Sequence, residues 1–160
     1  MNYQVLENIL NAQKREFTYS DEKGYSFASQ DSEEISIQVS CKQYTHVKRL
    51  TLTARIALEE NSVVPLGVFY DYLDSANQQF AGCLTIDKSG DISYCETTFL
   101  PEDTESALVV CQNALAFFEG VAKYIRAMMT LKLLRAKGIT AGLTSELPPC
   151  IQEIQPDKHK

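Results

Sequence analysis

The sequence has no tryptophan, two histidines and no pair of cysteines spaced as C-x-x-C. Its five cysteines, Cys41, Cys83, Cys95, Cys111 and Cys150, are odd in number, so neither a disulfide framework nor a zinc knuckle is indicated. A reducing compartment is expected. His46 falls between two strands and His159 in the far tail, so a Ser–His–Asp or Cys–His nucleophile would rest on one loop histidine. Gly82 and Gly90 belong to no G-x-G-x-x-G or P-loop pattern, which removes the nucleotide cradle. No catalytic residue, cofactor or metal is therefore assigned.

Positive charge is scarce too. A net charge of −6 and a pI near 4.9 argue against attraction to nucleic acid or anionic lipid. The tight basic pairs outside the C-terminal helix, Lys14 with Arg15 and Lys48 with Arg49, read as solvated ends of elements. No run reaches the roughly 18 apolar residues of a membrane span. The opening "MNYQVLENILNAQKRE" lacks a basic segment followed by a continuous apolar core, so a soluble cytoplasmic protein is expected.

What the chain does have is periodicity. Val5, Leu6, Ile9, Leu10 and Ala12 recur at helical steps between Asn2 and Lys14. In "EFTYSDEKGYSF" two aromatic-rich runs flank a turn in which Gly24 can take a positive φ, giving a weak first strand and a second. "EISIQVSC" and "VKRLTLTARIAL" alternate strictly, with Ile35, Ile37, Val39 and Cys41, then Leu50, Leu52, Ala54, Ile56 and Leu58, on one face. Pro65 suits a helix start, after which Leu66, Phe69, Leu73, Ala76 and Phe80 form a stripe. Asp71 and Asp74 then lie on the wet side and, lacking a third ligand, do not make a metal site. "GCLTID" and "DISYCETTFL" form a hairpin.

Asp103 or Thr104 caps a final helix whose stripe runs Leu108, Cys111, Leu115, Phe118, Ala122, Ile125 and Met129. A second row, Ala107, Val110, Ala114, Phe117, Val121, Tyr124 and Met128, lies beside it. If it runs to Lys137 this helix is about 50 Å long, against roughly 20 Å for five strands, so it breaks near Thr130 or overhangs. An overhanging apolar end needs a partner, and Phe117, Val121, Tyr124, Met128 and Leu131 are the candidate partner or dimer surface. Cys83, Cys95 and Cys111 are expected to pack as small hydrophobes.

The expected fold is α+β, a five-stranded antiparallel sheet in the order α-β-β-β-α-β-β-α covered by a long C-terminal helix. Residues 1–137 form the domain and 138–160 an extended tail. The stretch "VFYDYLDSANQQFAGCLTIDKSGDISYCETTFLP" resembles the YbjN-like family on Asn77, Phe80, Gly82, Asp87, Gly90, Ile92 and Tyr94. That resemblance implies a fold similar to bacterial type III secretion chaperones, small acidic proteins that dimerise and bind unfolded segments of partner proteins. It also implies a non-enzymatic binding or regulatory role, since members are loosely known as sensory-transduction regulators. A protein partner and a homodimer are expected, without nucleic acid or membrane. The alternative is a small-molecule sensor or enzyme with a pocket between sheet and helices, near Tyr44, His46 and Tyr94.

Overall fold

Alternating side chains build the sheet before any helix is needed. The computed structural model describes residues 3–58 and 67–136. Its elements are α1 (Gln4–Ala12), β1 (Thr18–Ser20), β2 (Gly24–Ser29), β3 (Ser32–Gln43), β4 (Lys48–Ile56), α2 (Gly67–Gln79), β5 (Cys83–Ile86), β6 (Ile92–Leu100) and α3 (Thr104–Ala136). The class is α+β, and all strand pairs are antiparallel in the order β1-β2-β3-β4-β6-β5. Six strands stand where five were expected. The one that count leaves out is the weak first strand, β1, a three-residue edge whose Thr18 and Ser20 are exposed, so its alternation is short. Tyr19 anchors it with its ring 4.8 Å from Tyr25.

Register carries each apolar position to one face. Phe27, Ile37, Ala54, Tyr94 and Leu84 form one row across five strands, and all are buried. One residue along, Ser26, Gln38, Thr53, Cys95 and Cys83 form the opposite row, half-exposed to exposed. Cys83 and Cys95 are thus not core hydrophobes, because their neighbours Leu84 and Tyr94 take the inward positions. Cys111 is buried on α3, and burial pushes its thiol up to about 12.

Leu6, Ile9 and Leu10 fix α1 on the inner face. The Tyr3 N–H donates to the Tyr25 hydroxyl at 2.8 Å, and that hydroxyl donates to Glu7 at 2.8 Å. Lys14, with φ 55, closes the helix in a left-handed turn as the Arg15 N–H donates to Leu10 O at 2.9 Å. The turn delivers Arg15 inward. Its side chain is 9% exposed, ion-paired with Glu119 of α3, and lies 5.6 Å from the Phe27 ring centre. The expectation of a solvated pair holds for Lys14 alone. Lys48 and Arg49 are also half-buried, their cations 4.7 Å over Tyr3 and 5.5 Å over Tyr44.

Asp103 caps α3, accepting the Ser106 N–H at 2.8 Å. The helix continues through Thr130, whose hydroxyl donates to Arg126 O at 2.8 Å without breaking it. By length and mean hydropathy α3 is apolar enough to cross a membrane. Here its main stripe covers the sheet, with Cys111, Leu115, Phe118, Ala122, Ile125 and Met129 all buried. Leu108, expected at the head of that stripe, is exposed. Pro65, Leu66 and the 138–160 tail lie outside the described residues.

Candidate binding groove

The family-like residues explain how α2 and β5 are set against α3. The Asn77 side chain binds the open edge of β5 with both ends of its amide, donating to Leu84 O at 3.1 Å and accepting the Leu84 N–H at 2.6 Å. It thereby occupies the backbone groups that a further strand would use. Gly82 donates its N–H to the Tyr94 hydroxyl at 3.1 Å, and that hydroxyl donates to Glu96 at 3.1 Å. A Cβ at Gly82 would lie 2.4 Å from Cys95 O and 2.6 Å from the Tyr94 ring, so only glycine fits this approach. Burial pushes the Tyr94 phenol up to about 12, with Glu96 adding to it.

The hairpin turn is equally local. Asp87 Oδ1 accepts from the Ser89 N–H at 2.9 Å, the Ser89 hydroxyl at 2.6 Å and the Asp91 N–H at 2.9 Å. Those hydrogen bonds, that of the Ser89 hydroxyl first, hold its carboxyl below the usual range. Gly90 takes φ 89 and Ile92 is buried. Asp87, Asn77, Gly82 and Gly90 are therefore architectural.

Phe80 is the exception, because it works at a surface. Its ring stands edge-on to Tyr124 at 5.7 Å and to Tyr94 at 6.3 Å, and Tyr94 stacks on Phe118 at 5.5 Å. This aromatic chain carries the core outward to a groove of about 390 Å³ between the end of α2 and the middle of α3. Gln79 and Phe80 form one wall, and Ala116, Phe117, Gly120, Val121 and Tyr124 the other. Gly120 leaves open space where a side chain would stand.

Of the five expected surface residues, Phe117, Val121 and Tyr124 line this groove. Phe117 is 63% exposed, Tyr124 half-buried and Val121 buried. Met128 and Leu131 do not line it. Met128 is half-buried and Leu131 buried, so the C-terminal part of α3 is no bare overhang. There Lys132 lies 5.6 Å over the Tyr72 ring of α2. The open apolar positions are instead Leu108, Val109, Val110 and Phe117, in the first half of the helix. Sequence reasoning missed Gly120 and the use of Phe80 as a wall, although Phe80 ends the α2 stripe.

The polar candidates do not assemble. Asp71 and Asp74 are exposed on α2. His46 and Tyr44 lie in the exposed β3–β4 connection, next to the register pair Lys48–Leu100. Tyr94 is buried six residues back along β6, about 20 Å away at the usual strand rise. Among the described residues, no group of three or more His, Cys, Asp or Glu is placed to hold a metal ion.

No protein-family model matches the chain, and no curated protein sequence does either. Among solved structures the chain is similar to that of YbjN from E. coli, regarded as a candidate transcription regulator. The identity is 12% and the TM-score 0.38, over 86% of this chain and 93% of that one. A TM-score of that size leaves the fold to be argued from the geometry above and says nothing about function.

Proposed function

We propose that the chain is a non-enzymatic protein-binding module of a regulatory or chaperone-like kind, acting in the cytoplasm. Its bound segment lies across the open half of the second α3 row, beside the groove. Phe117 is the observation that carries this reading: a large aromatic, 63% exposed, at the mouth of an apolar groove. Covering such a side chain is worth about 2 kcal/mol, and soluble surfaces rarely leave one beside further apolar positions without use. From Ser106 to Phe118 the helix carries no charge, while Glu102, Asp103 and Glu105 lie at its start. An apolar partner segment with a basic end complements that pattern.

A homodimer through the same face is a second reading, and one spacing favours it. Val110 and Phe117, both exposed, are seven residues apart, about two helical turns, and so lie on one line of α3. Antiparallel pairing of two copies along that line sets each Val110 near the other copy's Phe117.

Capture from native lysate tests the first reading, comparing the unaltered chain with Phe117→Ser and with the sheet-face control Thr53→Ser. The reading expects partners lost with Phe117→Ser and kept with Thr53→Ser. Equal recovery by both variants contradicts it. Light scattering on the pure chain tests the second, with a dimer that Phe117→Ser converts to monomer as the expected result. A saturable thermal stabilisation by a small apolar molecule, abolished by Phe117→Ser, would instead mark the groove as a small-molecule site.

A further inference from the structure

The outward row holds one pairing that the binding surface does not use. Cys83 of β5 and Cys95 of β6 are directly opposite in register, and both are free thiols. They share the outer face, since Leu84 and Tyr94 beside them are buried on the inner one. Cys83 is exposed and Cys95 half-exposed.

Backbone direction fixes their spacing. Both polar backbone groups of Leu84 turn to the Asn77 side chain, away from β6. The alternation of an antiparallel ladder then turns those of Cys83 toward β6, making Cys83 and Cys95 a hydrogen-bonded pair with Cα atoms about 5.5 Å apart. That separation falls inside the disulfide range of about 4.4–6.8 Å. Cβ atoms in such pairs stand toward 5.5 Å, beyond the roughly 3.5–4.5 Å of a relaxed disulfide, so a bond formed here is strained and readily reduced. Cys95 Sγ now rests 3.7 Å from Thr53 Oγ1 on the opposite side, and a χ1 rotation turns it toward Cys83.

We propose that Cys83 and Cys95 form a reversible dithiol site that low-molecular-weight disulfides such as glutathione disulfide oxidise. Exposed Cys83 attacks as thiolate, breaking the oxidant's S–S bond and forming a mixed disulfide while one glutathione thiolate leaves. Cys95, as thiolate, attacks the Cys83 sulfur, forming the Cys83–Cys95 bond and expelling the second glutathione. Two protein thiols are oxidised, one disulfide is reduced to two thiols, and the two protons pass through solvent to the leaving thiolates. The product ties the short edge strand β5 covalently to β6, beneath the wall that carries Phe80. This site does not depend on the binding role of Phe117.

The test is a redox titration of the full chain carrying Cys41→Ala and Cys150→Ala, in glutathione buffers, followed by peptide mass spectrometry without reduction. A linked Cys83–Cys95 peptide, lighter by two hydrogens and restored to two thiols by excess glutathione, is expected. Cys95→Ser should stop the reaction at a stable glutathione adduct on Cys83, whereas Thr53→Val should leave the linkage in place. A persistent Cys83 adduct in the chain with both cysteines would overturn the proposal, as would linkage of Cys83 only between molecules. Circular dichroism on each variant separates these outcomes from loss of fold.

Discussion

Phe117 and Phe118 are adjacent in the chain, yet Phe118 is 0% exposed and Phe117 63% exposed. The 100° turn between successive helical residues puts them on different rows of α3. The inner row is buried throughout from Cys111 to Met129 because it packs into the core over β4 and β6 and beside α1 and α2. The second row is graded, open at Val110 and Phe117, half-buried at Tyr124 and Met128, and buried at Val121. One periodic pattern therefore gives one covered row and one partly open row, and the opening lies where α2 ends.

The largest effect should come from the inner row. Phe118→Ala removes the ring stacked on Tyr94 and should cost about 3–5 kcal/mol in denaturant unfolding. Phe117→Ser, one residue away, should stay within about 0.5 kcal/mol. Similar losses for the two would erase the distinction between the rows.

Next comes the buried ion pair on the same helix. Glu119 is 5% exposed, pairs with Arg15 and accepts from the Ser29 hydroxyl at 3.4 Å. Arg15→Met leaves that carboxylate buried and uncompensated, at about 3 kcal/mol, while the double change Arg15→Met with Glu119→Leu should recover much of the loss. A double variant no more stable than the single one would count against this account.

Gly82→Ala should follow at about 1–3 kcal/mol, because the added methyl meets the Cys95 carbonyl and the Tyr94 ring. Since Tyr94 contacts both Phe80 and Phe118, near-ultraviolet dichroism should report disturbance on both sides of it.

The smallest effect concerns the cap where both rows begin. Hydrogen bonds from Ser106 hold the Asp103 carboxyl below its ordinary 3.8. A folded-state value below the unfolded one means the stabilisation is complete above 3.8 and is lost as pH falls through the lower folded value. The stability difference between the unaltered chain and Asp103→Asn should therefore be constant near neutrality and shrink on acidification. A difference independent of pH would assign the cap no charge-dependent part.

Much of the fold was legible because each strand carries its own alternation, as Ile35 to Val39 and Leu50 to Ile56 do. Register and helix period then follow from the same residues. The first strand reads only weakly because three residues with one apolar member show little alternation. The inward turn of Arg15 escaped because it depends on a left-handed Lys14 and on Glu119, more than a hundred residues away. The second row of α3 was visible as a stripe, but which part stays open was not. That depends on where α2 and Phe80 pack, and no local period records it. For the same reason the residue type of Cys83 and Cys95 suggests the core, whereas register turns both outward.

A photoactivatable phenylalanine analogue at position 117, compared with one at Thr53 on the open sheet face, tests the central claim most directly. Irradiation in cells that make the protein should give a discrete cross-linked species from position 117, a partner or a second copy, and none from position 53. Indistinguishable cross-linking from the two positions, or none from 117, would contradict the assignment of the α3 face as the binding surface.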